Sequence, residues 1–168
     1  MKTAAAFAFT LLASCARGQF TSPPADTSVT IAGKTIAIKY HAPQMHNRKI
    51  FGDLVPFGQV WRAGANEATA LHTTADLVIG SLNVSKGDYT IFILPQPNSW
   101  QLIINKQTGQ WGLEYHQDRD LGRVPMTLSK PPSTVDVFKI TLSKTAANQG
   151  NLAMEWENTV ATVPFTVK

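Results

Sequence analysis

The sequence predicts an all-β protein, an antiparallel β-sandwich or jelly-roll-like fold of about ten strands with little helix. Short runs of β-branched residues recur along the chain, and turns rich in Gly, Pro, Asn and Ser separate them. No stretch of helical length places apolar residues at three- and four-residue spacing. Strands that alternate with turns at this spacing are typical of sandwiches and jelly rolls.

The first two predicted strands, 29–31 and 35–40, flank the turn Ala32-Gly33-Lys34 and form a hairpin. Ile36, Ile38 and Tyr40 fall on one face of the second strand because side chains alternate along a strand. The later strands are predicted at 67–73, 77–84, 89–94, 100–105, 124–128, 135–142, 152–157 and 161–167.

Composition indicates a single folded domain. The chain has 168 residues, of which 43% are hydrophobic, and this is enough to build one core. Charged residues make up 15%, below the average of about 25% for soluble proteins, so the chain is not expected to be disordered. The net charge of +4 comes from Lys and Arg that are scattered along the chain, and we therefore predict no nucleic-acid partner. The oligomeric state is left open.

The N-terminus predicts export. Residues 1–15 combine a lysine, a short apolar run and small residues, as in a secretory signal peptide. Their end, Leu12-Ala13-Ser14-Cys15, resembles a bacterial lipobox, which predicts lipidation of Cys15, the single cysteine of the chain. We therefore expect the membrane to be a partner through this anchor. The expected location is the cell envelope, on the periplasmic face of the outer membrane. Cleavage after Ala16, which would release a soluble periplasmic or secreted protein, remains the alternative.

Two further ranges complete the predicted organisation. Residues 16–27 are rich in Pro and Ser and lack periodic apolar positions, so we predict a tether there. Residues 28–168 form the predicted single β-sandwich domain. With the single cysteine at position 15, this domain contains no disulfide and depends on its core and its sheet.

The segment 48–69 follows neither the strand nor the helix period, and it combines three glycines and a proline with large apolar residues. It resembles the core R-x-I-F-G-x-L-V-P-x-G-x-V-W-R-x-G-A-N-E-A-T of a bacterial family known as domain of unknown function 2911. Two further segments, 105–112 and 155–158, also match that family. The resemblance implies an exported, often lipid-anchored, β-sandwich-like protein. It implies no catalytic residue, substrate or cofactor.

A ligand site is predicted where aromatic and planar polar side chains cluster in these segments. Aromatic faces with guanidinium, amide and carboxylate groups suit sugars and carboxylates, so a small polar ligand or a glycan is the expected partner. The candidate binding residues are Arg48, Trp61, Arg62, Asn66, Glu67 and Trp111.

A purely structural or protein-interaction role explains the same residues differently. In this alternative Arg62 or Arg48 forms a buried pair with Glu67, and Trp61, Phe51 and Phe57 close the end of the sandwich.

A hydrolase acting on envelope sugars or esters is the third hypothesis, with Glu67 activating a water molecule. Glu155 and Glu157 are two apart on one predicted strand, at a separation of roughly 6.5 to 7 Å, but alternating exposed glutamates are ordinary solvated residues. The four histidines lack the close spacing of metal ligands, and no G-x-S-x-G or phosphate-loop motif occurs. We therefore predict no metal and no cofactor, and catalytic residues stay unassigned.

Overall fold

A computed structural model describes residues 22–168, and in this part of the chain the protein is all-β and antiparallel, as predicted. Eleven strands and a single 3-10 turn at Gln117–Arg119 are present there. The strands are β1 Pro24–Ile31, β2 Lys34–His41, β3 Thr69–Thr73, β4 Leu77–Ile79, β5 Leu82–Val84, β6 Gly87–Pro95, β7 Trp100–Asn105, β8 Asp120–Ser129, β9 Val135–Lys144, β10 Gln149–Glu157 and β11 Thr159–Val167.

All strands belong to one sheet, in the order β1-β2-β3-β6-β7-β8-β11-β10-β9, with the β4–β5 hairpin attached to β11. The two edge strands, β1 and β9, lie side by side. The chain after β2 joins this seam, because Met45 N donates to Asp136 O and Phe138 N donates to Pro43 O, each at 2.9 Å. The fold is therefore a nearly closed barrel, which differs slightly from the expected sandwich. A long twisted sheet coils until its edges meet.

Most strand boundaries differ from the prediction by a few residues, and two differences change the organisation of the chain. β1 begins at Pro24, so residues 24–27 of the predicted tether are strand. The run 77–84 is two strands rather than one, because Gly80 has a φ of +56° and turns the chain back as a hairpin. The β1–β2 hairpin itself forms as predicted, and positive φ values at Ala32 (50°) and Gly33 (73°) are typical of a type I′ turn.

The barrel interior is filled by the inward faces of the strands. Ile36, Ile38 and Tyr40 are buried, which confirms the predicted face of β2. Other fully or nearly fully buried side chains are Leu71, Ile91, Ile93, Leu102, Ile104, Val124, Leu152, Met154, Trp156, Val163 and Phe165. At about 25 cal/mol per Å² of buried apolar area, this core is the main stabilising contribution in a domain without a disulfide.

The loop 106–119 covers the outer face of β6, β7 and β8. Phe92 points outward from β6, yet it is 1% exposed because the Tyr115 ring packs on it at 5.0 Å. The Tyr115 hydroxyl donates to Asp120 Oδ2 at 2.7 Å and accepts from Arg123 Nη2 at 2.7 Å. Burial, followed by the hydrogen bond to Asp120, raises the pKa of Tyr115 to about 12. This network holds the loop on the barrel.

The predicted signal peptide at 1–15, with Cys15, and residues 16–21 of the tether lie outside the described residues. Among residues 22–168 no helix has the length and apolar character needed to cross a bilayer. In that same range, no three His, Cys, Asp or Glu side chains are grouped as metal ligands.

Candidate binding site at one end of the barrel

The segment 48–69 is an ordered loop across one end of the barrel. Trp61 extends the sheet beside β6, because its N donates to Ile93 O and its O accepts from Ile93 N, both at 2.8 Å. Gly58 N donates to Pro95 O at 2.8 Å, and Thr69 Oγ1 donates to Ala63 O at 2.7 Å. These bonds satisfy loop backbone groups that would otherwise be buried without a partner.

The last part of this loop contains strained backbone. Ala63 and Asn66 have φ values of 51° and 58°, in the left-handed region that residues with a β-carbon rarely adopt. Such conformations cost about 1–3 kcal/mol each and persist only where the surroundings enforce them. The Thr69 hydrogen bond to Ala63, and a bond from Gly112 N to Asn66 O at 3.1 Å, provide that support.

An aromatic cluster forms the floor of this end of the barrel. Trp61 stacks on Trp156 with ring centroids 5.7 Å apart and an interplanar angle of 17°. Phe51 and Phe138 pack edge-on against both tryptophans. Phe57 is 39% exposed, so Trp61 and Phe51, but not Phe57, take the closing position expected from the sequence.

Glu157 ties the loop to the end of β10. Its two carboxylate oxygens accept hydrogen bonds from Ile50 N and Phe51 N, both at 3.3 Å. A register shift between Glu155 and Glu157, together with a φ of 54° at Glu157, turns this side chain toward the loop. Glu157 is therefore not the ordinary solvated glutamate expected from the sequence. Glu157 is a structural acceptor for the loop backbone.

The turn 110–112 packs against the same loop. Ala68 N donates to Gln110 O at 3.2 Å, and Glu67 and Trp111 form an isolated antiparallel bridge. A β-carbon at Gly112 would lie 1.9 Å from Arg62 Cδ and 2.5 Å from Asn66 O. The three segments that resemble one family, 48–69, 105–112 and 155–158, therefore meet at this end of the barrel.

A cavity of about 300 Å³ opens between the loop 48–69, residues 43–46 and Trp156 near the end of β10. Four of the six predicted binding residues line it, namely Arg48, Trp61, Arg62 and Asn66. Its other lining residues are Ser22, Pro43, Gln44, His46, Leu54, Val55, Gly64, Ala65 and Trp156. This volume lies at the lower end of the range for small-molecule sites, about 300–1,000 Å³.

Arg62 is a half-buried charged group in the wall of the cavity. Its Nε is buried and has no hydrogen-bond partner in the part of the chain that the structure describes. Desolvation by burial lowers the pKa of the guanidinium below its ordinary value. An arginine nevertheless stays protonated in proteins, so Arg62 places a positive charge in the cavity wall.

Glu67 and Trp111 lie apart from this cavity. The Glu67 side chain is 61% exposed, and its Oε2 is 3.2 Å from His41 Nδ1 in a neighbouring hollow of about 490 Å³. The buried pair between Glu67 and Arg62 or Arg48 is therefore not formed. Trp111 is 47% exposed and does not border the 300 Å³ cavity, although its backbone bridges to Glu67.

Sequence reasoning missed several lining residues. Trp156 is a core residue of β10, 2% exposed, and it also borders the cavity. Gln44 and His46 follow β2, where no motif marked them. The pairing of residues 43–45 with β9, which joins distant parts of the chain, places them at the cavity.

The fold and the site define a class of protein, a small antiparallel β-barrel with an arginine- and tryptophan-lined cavity at one end. A family model described as "Protein of unknown function (DUF2911)" matches residues 22–165, and the chain belongs to that family. No curated protein and no solved structure matches the chain.

Proposed function

We propose that this protein binds a small polar ligand, a metabolite or a glycan fragment, in the cavity at the end of the barrel. The observation that carries the proposal is the Arg62 guanidinium, half-buried in the wall of an open cavity and without an ion-pair partner among residues 22–168. Burying a charged donor without a partner costs free energy, and proteins retain such groups at sites where a ligand meets them. The strained backbone at Ala63 and Asn66 beside it supports the same conclusion.

Tryptophan fluorescence and thermal unfolding test this function together. Trp61 and Trp156 border the cavity, so an occupying ligand changes their emission. A ligand at one hundred times its Kd stabilises the native state by about 2.7 kcal/mol, which raises Tm. The panel contains neutral sugars, sugar acids, amino acids and phosphate esters. Unchanged emission and Tm across the whole panel would contradict the proposal.

Trp111→Phe is the matched control for the fluorescence experiment. Trp111 is exposed and lies outside the cavity, so its removal lowers total emission but leaves the ligand response in place. A response that disappears with Trp111 would place the ligand on the turn 110–112 instead.

A protein-interaction role is the second candidate, and exposed apolar side chains favour it. Leu54 is 44% and Phe57 39% exposed on the loop that borders the cavity. Docking of a partner protein there predicts that Phe57→Ser weakens cross-linking to that partner while the ligand response persists, because Phe57 does not line the cavity.

We also propose that the protein acts in the cell envelope, anchored through a lipid on Cys15 and facing the periplasm from the outer membrane. The signal-like residues 1–15 and the lipobox-like quartet that ends at Cys15 support this. Metabolic labelling with a palmitate analogue should mark the wild type and leave Cys15→Ser unlabelled. An unlabelled, soluble wild type that begins after Ala16 would support the alternative of a soluble periplasmic or secreted protein.

A further inference from the structure

The wall of the cavity carries positive charge without a matching acid. Arg48 and Arg62 line it, and no Asp or Glu is among the lining residues in the described range. Neither arginine forms an ion pair within residues 22–168. The uncompensated charge makes the cavity attractive to anions, because clefts lined by one sign of charge concentrate the opposite sign.

The two arginines differ in how their donors are used. Arg48 is exposed, and its Nε and Nη2 donate to Met45 O and Gln44 O, both at 2.8 Å. These bonds hold its side chain over the loop but leave its charge unneutralised. Arg62 donates to no described residue, and Gly112 lies against its Cδ and Nε. Because its Nε is enclosed there, the terminal nitrogens of Arg62 are the donors left for a ligand.

The rest of the cavity sets the size and polarity of an occupant. Asn66 lines the cavity together with Arg62 and contributes polar groups to its wall. Trp61 and Trp156 contribute apolar aromatic surface. Aromatic surface next to planar hydrogen-bonding groups suits a sugar-like ring. A volume of about 300 Å³ suits one such ring with a single charged substituent.

We propose that the cavity selects acidic ligands of about monosaccharide size, and that Arg62 recognises their carboxylate or phosphate group. This inference rests on the proposed binding function and specifies its ligand class. Guanidinium groups bind carboxylates and phosphates through two parallel hydrogen bonds, so the Arg62 guanidinium suits either oxyanion. The aromatic surface of Trp61 and Trp156 contacts the uncharged part of the ligand.

Calorimetric titration with three matched sugars tests the charge requirement. Galacturonate carries a carboxylate, galactose 6-phosphate carries a phosphate, and galactose is neutral, so the first two also distinguish the two oxyanions. We expect at least one acidic sugar to bind roughly tenfold to hundredfold more tightly than galactose. Its affinity should fall as salt increases, since ions screen the attraction.

Three variants assign the effect to Arg62. Arg62→Gln removes the charge and should weaken the acidic sugar at least roughly tenfold, whereas Arg62→Lys keeps the charge and should restore part of that loss. Arg119→Gln is the control, because Arg119 is exposed and lies outside the cavity. Thermal unfolding by circular dichroism shows that each variant remains folded.

The outcomes separate this inference from the function on which it rests. Equal binding of galactose and the acidic sugars overturns the anion requirement and leaves ligand binding in place. Wild-type affinity for the acidic sugar in folded Arg62→Gln also overturns the role of Arg62. Absence of a response to every sugar here, and to the wider panel above, overturns both proposals.

Discussion

Arg62 lies across Gly112 so closely that a β-carbon at Gly112 would come within 1.9 Å of Arg62 Cδ. This contact joins the cavity loop to the turn 110–112, and the bond from Gly112 N to Asn66 O adds to it. The position of the arginine therefore depends on a residue some distance along the chain. The turn 110–112 and the loop 48–69 support each other at this contact.

Gly112→Ala should destabilise the protein by roughly 1–3 kcal/mol, because the added methyl group overlaps Arg62 and Asn66 O. It should also displace Arg62 and weaken any acidic ligand. Urea unfolding measures the stability change. Gly109→Ala is the control, since a β-carbon there meets nothing within 4 Å and only the φ of +74° adds a cost of about 1 kcal/mol. Equal effects of the two variants would show that the contact with Arg62 is unimportant.

Glu157→Gln should lower the free energy of unfolding by about 1 kcal/mol. The carboxylate accepts from Ile50 N and Phe51 N with its two oxygens, whereas an amide offers one acceptor and places an NH₂ group against the second donor. Glu155→Gln, two residues earlier on the same strand, should change stability by less than about 0.5 kcal/mol. The prediction fails if both variants unfold at the same urea concentration.

Trp156→Phe should destabilise the protein by roughly 1–3 kcal/mol, because it removes part of the stack on Trp61 and the hydrogen bond from Nε1 to Asp136 O at 3.0 Å. The stacked indoles should also give a paired circular-dichroism signal that the variant loses. Trp111→Phe, at an exposed position, should keep both the signal and the stability. A paired signal that survives in Trp156→Phe would contradict the stacked geometry.

The raised pKa of Tyr115 predicts a loss of stability at high pH. Since its pKa is about 12 in the folded protein and 10.0 as the ordinary value, the native state binds the phenolic proton more tightly than the unfolded state. The stabilisation is complete below about pH 10 and is lost as the pH rises through about 12. Unfolding measured across this window should be less pH-dependent in Tyr115→Phe, and an unchanged dependence would argue against the Tyr115–Asp120 bond.

Glu67→Gln should leave stability within about 0.5 kcal/mol of the wild type, because the Glu67 carboxylate is 61% exposed and pairs with His41 at the surface. Breaking a buried Arg–Glu pair would instead cost about 3–5 kcal/mol. Urea unfolding distinguishes the two values. The same variant tests the hydrolase hypothesis, because turnover of an envelope sugar or ester that is lost in folded Glu67→Gln would assign Glu67 a catalytic role.

The sequence alone predicted most of the strands, because alternation and turn residues are local signals. Ile36, Ile38 and Tyr40 show this, since each is buried where the period of two placed it. The split at Gly80 was missed although Gly80-Ser81, between two apolar runs, is a signal for a two-residue hairpin turn. The early start of β1 was missed because Pro24 and its polar neighbours pair with β2, and pairing of that kind depends on the partner strand.

Part of the candidate site was predicted because its residues are close together in the sequence. Clustering in the sequence brought Trp61, Arg62 and Asn66 together, and a single loop keeps neighbours close. Glu67 belongs to the same cluster, yet it points into another hollow, because the approach to β3 sends successive side chains to opposite sides.

The sequence by itself determined an all-β chain, its principal strands and the segment that carries the aromatic and charged residues, since these depend on composition and short-range periodicity. Only the tertiary structure decided that the sheet closes into a barrel, that Trp156 stacks on Trp61 and that Glu157 holds the loop. It also decided that Arg62 lacks an acidic partner in the described range. These contacts join residues far apart in the chain, and their distances follow from the packing of the whole sheet.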